Sequence, residues 1–302
     1  MDILTYYSDN IADILHSSWE IVFHGDIIDD RGEHVCNILE GVAKESHKIK
    51  YLPKELQIVF DDNLFSVDSF DDELKWIKGK SIIIDSTTLG VAELLLLCQC
   101  LYNNNIYEYD VLYLEPKHYT KKSDNFSLKK RDFDLSQDVV GYISIPSHAI
   151  SLEPEDYVQH VVFLCGYEAE RINRAFEETK IIADNCCCIF GVPPFQSGWE
   201  MNSFANNLPV IINNNIPRQM HFAGATNPLS TFEKINEIYK AIEDEEQLFV
   251  VPVGTKPMAL GACLFLVQSD RERVSILYDH PQRKPKRTEE FSRCHLYKIK
   301  MN

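Results

Sequence analysis

The chain has 302 residues, 45% of them hydrophobic and 25% charged, which is an ordinary globular balance with material for one large core or two smaller ones. Its formal net charge of -16 sets the average field against diffuse binding to nucleic acid or to an anionic membrane, so any polyanion must be held by a local cluster. No apolar run approaches the roughly 20 residues that span a bilayer, and the start Met1-Asp2-Ile3-Leu4-Thr5-Tyr6 lacks the pattern of a secretory leader; a cytoplasmic protein without membrane contact is expected.

The first clear strand covers 20–24 and ends at Gly25, with a helix from Arg31 to about Lys44. A short β-type run follows at 56–60, then Phe70, Leu74 and Ile77 at helical spacing, then a strand at 81–85. Residues 89–101 are apolar almost all round, which predicts a buried helix, and a strand at 110–114 ends in Glu115-Pro116. From Lys117 to about Asp138 the chain turns polar and carries Lys121-Lys122 and Lys129-Lys130-Arg131, as a connector would. The expected division is therefore 1–138 and 139–302. Beyond it come a strand at 160–165 closed by Gly166, a helix at 168–179, a strand at 186–190 and a loop at 191–202. Phe232, Ile235, Tyr239 and Ile242 mark another helix, and 247–253, 258–267 and 274–278 read as strand, helix and strand before a basic tail.

Nine cysteines, several of them inside apolar runs such as 94–101 and 260–267, read as reduced, buried thiols. Cys186-Cys187-Cys188 alternate between the two faces of a strand and cannot all reach one ion. No metal and no cofactor is expected.

Strands separated by helices favour a mostly parallel, helix-covered sheet. The stations repeat. Phe23-His24-Gly25 with Arg31 resembles Cys165-Gly166 with Arg171, Asp85-Ser86-Thr87 resembles Val253-Gly254-Thr255, and Leu112-Tyr113-Leu114-Glu115-Pro116 resembles Leu277-Tyr278-Asp279-His280-Pro281. The expected fold is α/β, with two Rossmann-like halves related by internal duplication.

In open α/β sheets, ligands bind beyond the carboxyl ends of strands, where the following helix offers free N–H groups. Gly254-Thr255-Lys256 sits at such a point: glycine permits close approach, Thr255 offers a hydroxyl, and Lys256 suits phosphate or carboxylate. A plain tight turn with a solvated lysine is the alternative. Ser86 and Thr87 keep the hydroxyls but have no lysine beside them, and either contact ligand or cap a helix. Gly166 and Arg171 open the helix after the strand at 160–165, with Arg171 a pocket member or an ion-pair partner of Glu168. Glu115 and His280, at matching strand ends, are the acid/base candidates. The loop around Trp199 is a candidate protein contact. The tail Arg283-Lys284-Pro285-Lys286-Arg287 is the densest positive charge and the one candidate for nucleic acid.

The strand followed by Gly254-Thr255-Lys256-Pro257-Met258 and an apolar helix resembles the ligand-sensing turn of CRISPR-associated Rossmann-fold domains. That resemblance covers only the turn and its flanking elements. It implies a pocket for a nucleotide-like anion such as a cyclic oligoadenylate, and a role in prokaryotic antiviral defence. The expected function is a sensor that holds such a ligand between its halves. The alternatives are an enzyme processing it (a phosphodiesterase or transferase) and a non-catalytic subunit of a larger complex.

Overall fold

The computed structural model describes residues 1–121, 133, 135–150, 158–217 and 219–301. The chain forms two compact units. The first comprises Met1–Thr120 together with Arg283–Asn302, and the second Lys121–Gln282. The division expected at 138/139 thus falls at 120/121, and the basic tail belongs to the first unit.

In the first unit, β1 (Asp2–Ser8), β2 (Trp19–His24), α1 (Asp30–Val42), β3 (Ala43–Leu52), β4 (Gln57–Phe60), β5 (Asn63–Ser66), α2 (Phe70–Glu73), β6 (Ile82–Asp85), α3 (Val91–Asn103) and β7 (Glu108–Tyr119) come first in the chain. In the second, β8 (Ser136–Val139), β9 (Gln159–Cys165), α4 (Ala169–Glu178), β10 (Cys186–Gly191), α5 (Glu200–Asn213), β11 (Met220–Ala223), α6 (Pro228–Ala241), β12 (Gln247–Pro252), α7 (Lys256–Gln268) and β13 (Val274–Ile276) follow. After β14 (Pro281–Arg283), β15 (Thr288–Lys300) closes the first unit. Strands β8 and β14 belong to neither main sheet.

The first unit is built on an eight-stranded sheet of order β1-β15-β7-β6-β2-β3-β4-β5. Its four central strands are parallel, and antiparallel pairs extend it on both sides. The expectation of a mostly parallel sheet therefore fails here, because two strands with no apolar run, β1 and β15, pair with β7 and each other. Helix α1 covers one face. Its N-cap Asp29 accepts from Gly32 N at 3.0 Å, and Val35, Cys36 and Leu39, one helical turn apart, pack on Val22, Ile83, Leu112 and Leu114. Each such aliphatic burial contributes about 1.5–3 kcal/mol. Helix α3 is buried from Val91 to Leu101 except at Glu93, as its all-round apolar sequence requires.

The second unit carries a five-stranded, wholly parallel sheet of order β11-β10-β9-β12-β13. Counted within the unit this is 3-2-1-4-5, the doubly wound order, whose switch point lies between the first and fourth strands. Period-two alternation sends Val161, Phe163, Cys165, Cys186, Cys188 and Phe190 to one face, against Ile172 and Ala175 of α4 and Ile211 of α5. Leu164, on the opposite face, meets the start of α7, because a Cβ on Gly254 would stand 3.3 Å from the Leu164 Cβ and 3.2 Å from the Met258 sulfur. Helices α6 and α7 pack on each other. Both sheet faces are covered, so the strands read as continuous apolar runs.

Candidate functional site

The carboxyl edge of the second unit's sheet is rimmed by glycine. Gly166 follows β9, Gly191 ends β10, Gly224 follows β11, and Gly254 lies two residues past β12. Gly166 and Gly254 flank the switch point. A Cβ on Gly166 would collide with the Val253 carbonyl oxygen, so only glycine lets these strand ends pack together. A Cβ on Gly191 would stand 3.1 Å from the Ala225 Cβ and 3.2 Å from the Met258 sulfur. The glycines are thus required by close packing of the strand ends and the turns beside them.

Thr255 is the N-cap of α7. Its backbone is extended (φ -68, ψ 159), and its hydroxyl oxygen accepts from Met258 N at 3.4 Å while donating to the Ala225 carbonyl at 2.6 Å. That second bond ties the β12–α7 turn to the β11–α6 turn, whose own helix starts at the N-cap Asn227 with Pro228 next. Lys256 is the first helical residue, and Pro257 takes the second position. Gly254, Thr255 and Lys256 are all half-buried. Below them α7 is buried from Pro257 to Val267, which makes the turn a rigid mount.

Other predicted residues are committed within the fold. The Gly166 carbonyl accepts from Asn207 Nδ2 at 2.7 Å and lies 3.1 Å from the Ser203 hydroxyl. The Arg171 guanidinium is buried and donates through Nε and Nη2 to both carboxylate oxygens of Asp279, with Glu168 at 3.5 Å. Asp279 and Glu168 hold the Arg171 pKa above its ordinary value against the opposing effect of burial. His280, with φ 46, sets Nε2 at 2.8 Å from the Ile143 carbonyl. Trp199 is half-buried, and its carbonyl accepts from Tyr167 OH at 3.2 Å.

In the first unit, Ser86 donates its hydroxyl to the Leu112 carbonyl at 2.8 Å, and the Thr87 hydroxyl accepts from Leu114 N at 3.1 Å. Both side chains are spent stitching β6 to β7. Asp85 accepts from Thr87 N at 2.8 Å and from the Thr88 hydroxyl; burial pushes its carboxyl up. Glu115 is buried with His295 Nε2 at 2.6 Å and the Ser292 hydroxyl at 3.1 Å, a pairing that no local spacing announced because β15 supplies both partners. The basic tail is likewise part of the fold: Arg283 donates to the Thr87 and Thr88 carbonyls, and Lys286 N donates to the Ile28 carbonyl at 2.9 Å.

A cleft of about 400 Å³ opens beside β13, lined among others by Tyr142, Ile150, Lys180 and Tyr278; it includes none of the predicted site residues. Among the described residues no cluster of three or more His, Cys, Asp or Glu side chains could hold a metal, and no helix is long and apolar enough to cross a membrane. The site thus defines a class by topology, an α/β protein with a doubly wound parallel sheet and a glycine-rimmed switch point. In comparisons with known proteins, no family model and no curated protein matches the chain.

Proposed function

We propose that the second unit binds a nucleotide-like anion over the carboxyl edge of its sheet, with the phosphate against the Gly254-Thr255-Lys256 turn. One observation carries the reading: four strand ends in a row carry glycine where turn packs closely on turn around the N-terminus of α7, and there the positive end of the helix dipole and the charge of Lys256 favour an anion. Arg171 fixes Asp279 after β13, and Gly166 lets the β9 and β12 strand ends pack together at the switch point.

The reading is of binding, and a sensor role in antiviral defence is the reading's extension through the resemblance of the Gly-Thr-Lys-x-Met turn. A duplicated origin for the two units is part of the proposal. Each has its switch point beside its first parallel strand, β2 or β9, and at each a glycine, Gly25 or Gly166, abuts the backbone of the neighbouring turn at Thr88 or Val253. Arg31 and Arg171, each near the start of its helix, reach respectively the Leu114 carbonyl within β7 and Asp279, three residues past β13.

Thermal unfolding against a nucleotide panel that includes cyclic oligoadenylates tests the proposal. A ligand at 100 times its Kd adds about 2.7 kcal/mol, and Lys256→Ala is expected to abolish that gain. A nucleotide that stabilises both proteins equally would refute the assignment to this turn. Mass spectrometry of the incubated ligand separates a sensor, which returns it intact, from an enzyme.

A further inference from the structure

The first unit gathers three guanidinium groups at the carboxyl ends of β2, β6 and β7, and they are not equally occupied. Arg31 is engaged at all three nitrogens: Nε donates to the Thr288 hydroxyl at 2.9 Å, Nη1 to the Leu114 carbonyl at 2.8 Å, and Nη2 to Asp29 at 3.1 Å. Arg283 places Nη1 and Nη2 on the carbonyls of Thr87 and Thr88. Arg287 differs. Its backbone is pinned where Thr120 N donates to its carbonyl at 3.0 Å, yet its Nε is buried without a hydrogen-bond partner, and no ion pair engages its head among the described residues.

A guanidinium N–H buried without an acceptor is destabilising, and more so on a charged group; Arg287 as a whole is half-buried. The carboxylates nearby are engaged elsewhere. Asp29 is taken by Arg31, Thr288 and Gly32 N, and Glu115 by His295 and Ser292. Three cations therefore stand near two carboxylates, those of Asp29 and Glu115, both already engaged. Burial and the like charges of Arg283 and Arg31 push Arg287 down to about 10.

We propose that Arg287, backed by Arg283 and Arg31, is a binding site of the first unit for a phosphoryl group. A phosphoryl group offers several acceptor oxygens to the planar donor fork of arginine and suits a cluster in which cations outnumber carboxylates. The site stands on observations separate from those at Gly254. It also gives the first unit, which has no counterpart of Lys256, a cation brought to the Thr87-Thr88 turn from residue 283.

The test uses the full chain and inorganic pyrophosphate at low ionic strength, followed by calorimetry and thermal unfolding, with adenosine monophosphate as a second probe. Pyrophosphate is expected to bind the unaltered chain and Lys256→Ala, and to lose this component, by tenfold or more in Kd, in Arg287→Met. Without anion, Arg287→Met is expected to melt at or above the unaltered chain, since it removes an unpaired charge. Arg287→Lys, which keeps the charge but not the fork, is expected to fold and to bind more weakly; it decides the matter should Arg287→Met fail to fold. Monophosphate binding tighter than inorganic phosphate would show that the group arrives on a nucleotide. The proposal is overturned if millimolar pyrophosphate does not bind, if Arg287→Lys and Arg287→Met bind it unchanged, or if Lys256→Ala alone removes all binding, which would assign the anion to the Gly254 turn.

Discussion

Arg171 holds Asp279 by two nitrogens, Nε at 2.9 Å from Oδ2 and Nη2 at 2.5 Å from Oδ1, with Asp279 only 2% exposed. The pair fastens the start of α4 to the segment after β13. Replacing one partner strands the other as a buried charge, which costs about 3–5 kcal/mol. Arg171→Met and Asp279→Asn are each expected to lose that much in urea unfolding. The double variant should recover part of it; strict additivity would show the pair to be unimportant.

Steric closure at the switch points gives a second expectation. Gly166→Ala drives a methyl group into the Val253 carbonyl, and Gly25→Ala drives one into that of Thr88. Each is expected to destabilise its unit by about 1–3 kcal/mol. Gly41, within α1 and with nothing inside 4 Å of an added Cβ, should gain about 0.4–1 kcal/mol as alanine. Melting temperatures of the three variants check the contrast.

Thr255→Val removes the α7 cap and leaves the Ala225 carbonyl without its donor. A loss of about 1 kcal/mol follows from the cap alone. Thr255→Ser keeps both bonds and should stay within a few tenths of the unaltered chain by chemical denaturation.

His148 predicts a pH dependence. It is buried with neither ring nitrogen partnered, and burial, helped by Arg271, lowers its pKa from 6.5 to about 4. Between these values the unfolded chain binds a proton that the native chain refuses, so stability rises with pH from about 4 to 6.5 and the histidine's effect is flat above. Expressed as free energy the window is worth up to about 3 kcal/mol. His148→Leu should flatten the slope when unfolding is measured at pH 5 and pH 7.

Strands β2, β6, β9, β10 and β12 were legible as apolar runs because both their faces are covered, and α3 and α7 because they are apolar all round. Strand β3, with Lys44, Glu45, Lys48 and Lys50 in ten residues, carries no such run, since most of its residues reach solvent. Strand β1 hides for the same reason, with Ile3 its one buried residue, and β15 because its buried stretch Cys294-His295-Leu296-Tyr297 is short and flanked by Arg293 and Lys298. Helix α5 was obscured by its asparagines and by the internal Pro209. At the site, the strand-turn-helix at Gly254 was readable because every part of it is local. What Ser86, Thr87, Glu115 and the 283–287 segment do was not readable, because their partners lie far away in sequence, at Leu112, Leu114, His295 and Thr87.

The return of the chain at residue 283 also orders its synthesis. Strand β7 pairs with β15 from Thr288↔Tyr119 to Lys300↔Glu108, so while the ribosome is still making the whole second unit, a twelve-residue strand waits with one edge bare. Such an edge invites pairing with other nascent chains. A premature stop just beyond residue 283 would leave the second unit's sequence whole and damage the first, which was translated long before it.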